Sequence, residues 1–324
     1  MGVKRNKKTG LGRIGILMGG PSSERKVSLK SGKSVYESLR QLGLDVVTID
    51  IVTDNAKENI KLIRSKEIDC AFLALHGRFG EDGQIQEILE SLFIPYTGSG
   101  VLASRLVMDK VASRKVLEIH GIPVPAYKIM ERPYYKGSDT FLGDFSGFPL
   151  VVKPATHGSS IGLSIVDKKE NLKQAVELAF KYDEHVLIEQ YISGRELTVG
   201  ILNDKALPVI EIIPKAKFFD YEAKYLTGTT EYRVPANIKK AVSGLVQSTA
   251  LKAHKLLGCY GCSRVDIILS RQNIPFILEL NSIPGLTPTS LLPKAARAEG
   301  IEFSMLCLKL IKLAYEKTKE GVPR

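Results

Sequence analysis

Apolar residues recur along this chain in short β-branched runs set between longer amphipathic stretches, an alternation that predicts an α/β fold. Arg13 to Met18 reads as a strand ending at Gly19 and Gly20, after which Ser22 or Ser23 caps a helix extending to about Leu42. Strands at Val46 to Ile51 and Cys70 to Leu75, with a helix between them, continue a Rossmann-like parallel sheet. A helix near Gln84 to Leu92 and a strand at Ile94 to Thr97 complete the region, and the Gly-Ser-Gly at 98 to 100 marks a boundary before the helix containing Asp109 and Lys110.

From Pro123 the period shortens. Pro149 to Lys153 and Ile161 to Val166 read as strands around the turn PATHGSS, followed by a helix at Asn171 to Lys181 and a strand at Val186 to Ile188. Phe218 to Pro235 is long, polar and aromatic without periodicity, which suits a lid that docks. A helix at Ile238 to Leu257 leads to two apolar runs, Val265 to Leu269 and Pro275 to Leu280, around a polar turn at Ser270 to Asn273, which is a β-hairpin signal. A helix from near Ser290 and another at Phe303 to Glu320 close the chain.

That hairpin carries the candidate chemistry. Strand side chains alternate with period two, so Glu279 and Asn281 share a face of the second strand and converge with Asp266 from the first. Three oxygen donors suit a hard divalent cation such as Mg²⁺, which shares its shell with substrate phosphates; the bland alternative is a solvated sheet face. Arg264 beside them matches sites that stabilise charge on a moving phosphate, and Gly285 offers a close backbone N–H to an anion. Lys153 ends its strand facing the PATHGSS turn, where the hydroxyls of Ser159 and Ser160 and the backbone could fold over phosphates. Glu189 and Glu196 bracket a turn and, in a nucleotide cleft, would sit near an adenine amino group and ribose hydroxyls; otherwise they are two solvated acids. Glu24 and the segment HGRFGEDG, beginning at His76, fall beyond the carboxyl ends of the parallel strands, where such sheets bind ligands. Either residue alone reads as structural, a first-turn acid and a bonded histidine; together they are candidates for gripping a small charged substrate.

Composition alters little. The 324 residues allow two or three domains, and a 44% hydrophobic content is ordinary for a globular protein. The formal charge of +11 raises a nucleic-acid partner, but outside a cluster at Lys4, Arg5, Lys7 and Lys8 the basic residues are scattered, and a polyanionic small substrate explains part of the charge equally well. Cys259 and Cys262 form a CxxC without a second ligand pair for zinc, so the four cysteines read as buried thiols of a reducing compartment. The N-terminal segment lacks a signal-peptide core and no run approaches a membrane span of roughly 18 apolar residues, which makes the cytoplasm the expected location. GGPSSE is not GxGxxG, and SGKS has Val27 where a phosphate loop needs its first glycine.

Six separated blocks, GGPSSERKVSLKSG, HGRFGEDG, PYTGSGVLASRLVMDK, VKPATHGSSIGLS, FFDYEAKY and RVDIIL…LELNSIPGLTPTSLLP, resemble in order the motifs of the D-alanine:D-alanine ligases of the ATP-grasp superfamily, from about Arg13 to Ala298. The resemblance implies an ATP-grasp fold of α/β and α+β type in three domains, with an N-terminal Rossmann-like domain over residues 1–98, a central subdomain over 99–189 and a C-terminal subdomain over 190–324. It implies ATP-dependent joining of two D-alanines for peptidoglycan precursors through an acyl phosphate, with two Mg²⁺ (or Mn²⁺) ions on Asp266, Glu279 and Asn281. By position, Lys110 and Lys153 would contact ATP phosphates, Glu189 and the backbone near Tyr191 and Ile192 the adenine, and Glu196 the ribose. Glu24 would hold the first D-alanine's ammonium with His76 and Ser159 near it, and Ser290 and Leu291 would take the second D-alanine's carboxylate. Lys224 and Tyr225 fall in the lid, and Arg264 with the Gly285 N–H would stabilise the tetrahedral oxyanion. A homodimer is a family expectation as well, and whether a monovalent cation assists is a question the sequence leaves open.

Gln190 and Tyr191 depart from the lysine and tryptophan frequent in the family, and Leu163 from a common methionine. Tyr225 in EAKY is the form expected of dipeptide-forming ligases, where D-lactate-using relatives differ. The rival readings are another ATP-grasp carboxylate:amine ligase, a D-alanine:D-lactate ligase, a noncatalytic ATP-dependent switch and, remotely, a basic nucleic-acid-binding protein, for which no aromatic-interleaved basic motif is present.

Overall fold

The computed structural model describes residues 10–135, 147–158, 161–214 and 230–319. Its first sheet is parallel, in the order β2-β1-β3, built from β1 (Arg13–Gly19), β2 (Asp45–Ile51) and β3 (Cys70–Leu73). Helix α1 (Arg25–Gln41) covers one face through Ser28, Ser31, Gly32, Val35 and Leu39, a stripe at helical spacing whose small residues permit close approach to the sheet. The expected serine cap does not form. Glu24 occupies the N-cap position, and Ser22 Oγ instead accepts from the Glu24 N–H and donates to the His76 carbonyl. Helices α2 (Ala56–Ser65) and α3 (Gln84–Ser91) lie with the opposite core, where Leu17, Ile49, Ile63, Phe79 and Ile85 meet.

The strand expected at Ile94 to Thr97 shrinks to a single parallel bridge between Ala71 and Tyr96. Pro95 has no N–H to extend a ladder. Its carbonyl accepts from Ala71, and Thr97 Oγ1 takes the Leu73 N–H that another strand residue would have taken.

The central sheet is antiparallel, β4-β7-β5-β6, from β4 (Tyr127–Glu131), β5 (Leu150–Pro154), β6 (Ser164–Val166) and β7 (His185–Gln190), with α6 (Leu172–Ala179) on one face. Leu150, Val152, Val186 and Ile188 point to that face and form a core with Leu172, Val176 and Phe180. By period two, Lys153 and Glu189 point to the other face.

The third sheet runs β11-β10-β8-β12-β13, with β8 (Gly194–Leu202), β10 (Ile210–Pro214), β11 (Thr230–Arg233), β12 (Cys262–Ser270) and β13 (Pro275–Asn281), and β9 (Lys205–Ala206) pairs with β8. Leu197, Val199, Ile201, Val265 and Ile267 pack beneath α7 (Lys240–Leu256), joined by Val107 of α4 (Val101–Met108) and Leu117 of α5 (Lys110–Ile119). Helices α8 (Leu291–Ala298) and α9 (Phe303–Lys319) complete the fold. Leu306, Leu310 and Ile311 of α9 lie in one core with Ile14, Phe72, Val35, Leu202 and Leu292, which ties the parallel sheet to the third sheet. The face of the central sheet that carries Lys153 and Glu189 is turned toward α5 and the third sheet, where Arg114 joins Glu189 to the Leu278 carbonyl.

Cys70, Cys262 and Cys307 are buried and Cys259 is half-buried, all as free thiols. Burial pushes the thiols of Cys70, Cys259 and Cys262 up to about 12, which keeps them protonated and unreactive. No helix among the described residues is long and apolar enough to cross a membrane.

Candidate active site

The hairpin of β12 and β13 sets the acids. Asp266 is paired directly with Glu279, and Arg264 with Asn281. The register then slips: Ile267 pairs with Ile277, so Leu278 is an extra residue on β13. This β-bulge lets Ile277 and Leu280 both reach the core while Glu279 and Asn281 keep the open face. Glu196, Thr198 and Gly200 of β8 project to that same side, opposite Ile268, Asp266 and Arg264, with α8 covering it at Gly200.

Asp266 is densely held. Arg264 donates to both its oxygens, from Nε at 2.9 Å and Nη2 at 2.7 Å; Thr198 Oγ1 donates at 2.7 Å and Asn281 Nδ2 at 3.2 Å. Glu279 faces Lys110, whose Nζ lies 3.7 Å from Oε2 and donates to the His157 carbonyl at 2.7 Å. The donor set of two carboxylates and an amide offers oxygen acceptors, which fits a hard divalent ion, and such an ion would compete with Arg264 and Lys110 for the carboxylates. No group of three or more His, Cys, Asp or Glu side chains among the described residues is gathered as a metal site.

Across the cleft, Lys153 Nζ sits 3.0 Å from Glu189 Oε1, and Arg114 Nη2 sits 2.7 Å from the same oxygen. Burial, opposed by Glu189, holds the Lys153 ammonium down at about 8. The two acids expected around one turn thus belong to different sheets: Glu189 to β7, inside an ion-pair cluster, and Glu196 to β8. The Tyr191 N–H donates to the Pro149 carbonyl, and Tyr191 is exposed beside the half-buried Ile192.

Glu24 stands beyond β1, against Gly77. A Cβ at Gly77 would lie 2.7 Å from Glu24 Oε2, and its φ of 69° is one that glycine adopts freely. His76 is buried, with Nδ1 3.1 Å from the Ile283 carbonyl and Nε2 3.0 Å from Ser31 Oγ. A carbonyl only accepts, so Nδ1 carries the proton and Nε2 receives the Ser31 hydroxyl; burial lowers the pKa and favours this neutral ring. His76 therefore ties the parallel sheet to the segment after β13.

Glu81 was not singled out by sequence. Its carboxyl accepts from the Gly77 N–H at 2.7 Å and the Ile283 N–H at 3.3 Å, and lost solvation, reinforced by the Glu24 charge, pushes it up to about 8. Thr198 and Arg114 were likewise unforeseen, since a threonine in a strand and an arginine in a helix carry no signal until their partners are known. One cavity is lined by Glu24, Glu81, Lys110, Gly158, Glu279 and Asn281, drawing on all three parts of the chain. Ser290 precedes α8 without capping it by its side chain: its Oγ lies 2.8 Å from Thr287 Oγ1 and accepts from the Thr287 N–H, next to Gly285, with Leu291 opening the helix. Ser159, Ser160, Lys224 and Tyr225, and with them most of the expected lid, lie outside the described residues.

Two antiparallel sheets facing across a charged cleft, with a parallel sheet docked at one end, are an ATP-grasp fold. Comparison with known proteins agrees in detail. Models of the "D-ala D-ala ligase C-terminus" and "D-ala D-ala ligase N-terminus" match residues 116–312 and 52–99. The chain is 46% identical over 312 residues to D-alanine--D-alanine ligase of Pelotomaculum thermopropionicum, covering 94% of this chain and 97% of that one. It superposes on D-alanine--D-alanine ligase from Bacillus anthracis complexed with ATP with a TM-score of 0.84 and 37% identity, covering 95% and 99% of the two chains. For VanG D-Ala:D-Ser ligase from Enterococcus faecalis the TM-score is 0.80 and the identity 31%, with 93% and 99% covered. The chain belongs to the D-alanine--D-alanine ligase family.

Proposed function

We propose that this protein joins two D-alanine molecules into D-alanyl-D-alanine with cleavage of ATP to ADP and phosphate, supplying the dipeptide for peptidoglycan precursors. The observation that carries this reading is the single cavity in which Glu24, Lys110, Glu279 and Asn281 meet. A carboxylate is a poor acylating agent, and this cavity sets an amino-acid-binding acid beside groups suited to phosphoryl transfer.

ATP would lie between the central and third sheets, with Lys110 and Lys153 at the phosphates, Ser160 and Lys224 beside them, Glu189 with the Tyr191 and Ile192 backbone at the adenine, and Glu196 at the ribose. Asp266, Glu279 and Asn281 would hold two Mg²⁺ or Mn²⁺ ions, which when bound neutralise the polyphosphate. Glu24 receives the first D-alanine's ammonium, with Ser159 near it and His76 fixing the wall behind. The substrate's carboxylate oxygen attacks the γ-phosphorus, the bond to ADP breaks, and Lys110, Lys153 and Arg264 hold the spreading charge. The second D-alanine docks its carboxylate at Ser290 and Leu291, where the uncapped start of α8 presents backbone N–H groups. Its amine attacks the acyl carbon, Arg264 and the Gly285 N–H stabilise the tetrahedral oxyanion, and phosphate departs as the amine sheds its proton. Tyr225, by its place in the sequence, would serve a lid that keeps water from the acyl phosphate.

Three sheets support domain divisions near residues 98 and 189, with α4 and α5 packed on the third sheet's core. A homodimer in the cytoplasm completes the proposal. The test is ADP release and product identification with D-alanine, D-serine, D-lactate and L-amino acids as second substrates. D-alanine-dependent ADP release with D-alanyl-D-alanine as product supports the reading; ADP release only with another acceptor overturns it.

A further inference from the structure

Arg114 is 2% exposed and lies one turn after Lys110 on the same face of α5. One nitrogen of its guanidinium meets two partners. Nη2 is 2.7 Å from Glu189 Oε1 and donates at 2.8 Å to the carbonyl of Leu278. Leu278 is the bulge residue of β13, left outside the β12 register, and it adjoins Glu279. The guanidinium also lies 5.8 Å from the Tyr127 ring centre on β4. Among the described residues a single side chain thus ties the central sheet to the irregular point of the third sheet. Nε and Nη1 are buried with no hydrogen-bond partner there, a costly state for a group serving packing alone.

Charge gives the arrangement a purpose. Lys110, Arg114 and Lys153 set three positive charges against the carboxylates of Glu189 and Glu279. Glu189 Oε1 is shared, 2.7 Å from Arg114 Nη2 and 3.0 Å from Lys153 Nζ, so with Arg114 present the Lys153 ammonium is only partly neutralised and keeps charge for an anion. Without Arg114 the whole Glu189 charge would fall on Lys153. The Leu278 carbonyl would also lose its donor, loosening the bulge that aims Glu279.

We propose that Arg114 is a positioning residue of the nucleotide cleft, holding Glu189 and the Leu278 carbonyl so that Lys153 remains available to a polyphosphate. This rests on the reading of the cleft as the ATP site. ATP binding measured by calorimetry, alongside kcat and KM for ATP and D-alanine, tests it in R114Q, R114K, E189Q and the double variant R114Q/E189Q. R114Q is expected to weaken ATP binding by about tenfold or more with KM for D-alanine within about twofold of wild type, and R114K to recover to within about fivefold. In the E189Q background the R114Q loss shrinks to less than about threefold, because the charge that Arg114 restrains is gone. Should R114Q not fold, R114K carries the comparison, its smaller loss disappearing once Glu189 is replaced. Wild-type ATP affinity in R114Q, equal loss of ATP and D-alanine affinity, or an undiminished loss in the E189Q background would overturn the inference. A wild-type protein that binds no ATP would overturn the reading of the cleft itself.

Discussion

Asp266 and Glu279 face each other across the β12–β13 ladder, yet each carboxylate is neutralised by a cation from a different direction: Arg264 from the same strand for Asp266, Lys110 from α5 for Glu279. The pair is therefore one charge-balanced unit assembled from the hairpin and a helix some 150 residues earlier in the chain. Removing the Glu279 charge leaves Lys110 without its carboxylate while the strand pairing persists. E279Q should lower ADP release by roughly 10² to 10³-fold with a melting temperature close to wild type. Steady-state turnover and thermal unfolding check this, and near-normal turnover would remove Glu279 from the phosphoryl-transfer site.

Lys153 supplies a pH test. Its ammonium, held down at about 8 chiefly by burial, binds phosphate only while protonated. The affinity of the free protein for ATP should be level below pH 8 and fall about tenfold per unit well above it. K153R keeps its charge through that range and should flatten the profile. Titration of ATP binding from pH 6.5 to 9.5 decides the matter, and an identical alkaline limb in K153R would assign it to another group.

His254 bears on stability and not on chemistry. Burial holds its pKa down at about 4, against an ordinary value of 6.5, and Nδ1 lies 2.7 Å from Ser263 Oγ. Between these values the unfolded chain binds a proton that the folded protein does not, so stability falls as pH is lowered from 6.5 to 4. The loss is roughly 3 kcal/mol. H254Q should remove this part of the acid sensitivity, as read by urea unfolding at a series of pH values; an unchanged slope would place the acid-labile group elsewhere.

Gly285 and Ser290 give a probe of the second substrate. A Cβ at Gly285 would sit 3.2 Å from Ser290 Oγ, close enough to displace the hydroxyl. G285A should raise KM for the second D-alanine by about tenfold, leaving KM for ATP within about twofold. The two substrate sites are separated by their different KM values, and a loss confined to ATP would detach Gly285 and Ser290 from the acceptor site.

The local sequence determined the elements and their faces. Alternation placed Asp266, Glu279 and Asn281 on one side of a hairpin, and glycine and proline punctuation located most strand ends, because side-chain direction in a strand follows from the backbone repeat alone. Long-range contacts decided the rest. Pro95 reads as part of a strand until pairing requires the N–H it lacks, and Glu24 stands at the N-cap position of α1 while the Ser22 hydroxyl is engaged by the His76 carbonyl. The bulge at Leu278 and the meeting of Arg114, Lys153 and Glu189 have no local signature. Charge pairing across a cleft depends on which surfaces folding brings within a few ångströms, and residues far apart in the chain acquire that relation only once three sheets have been packed together.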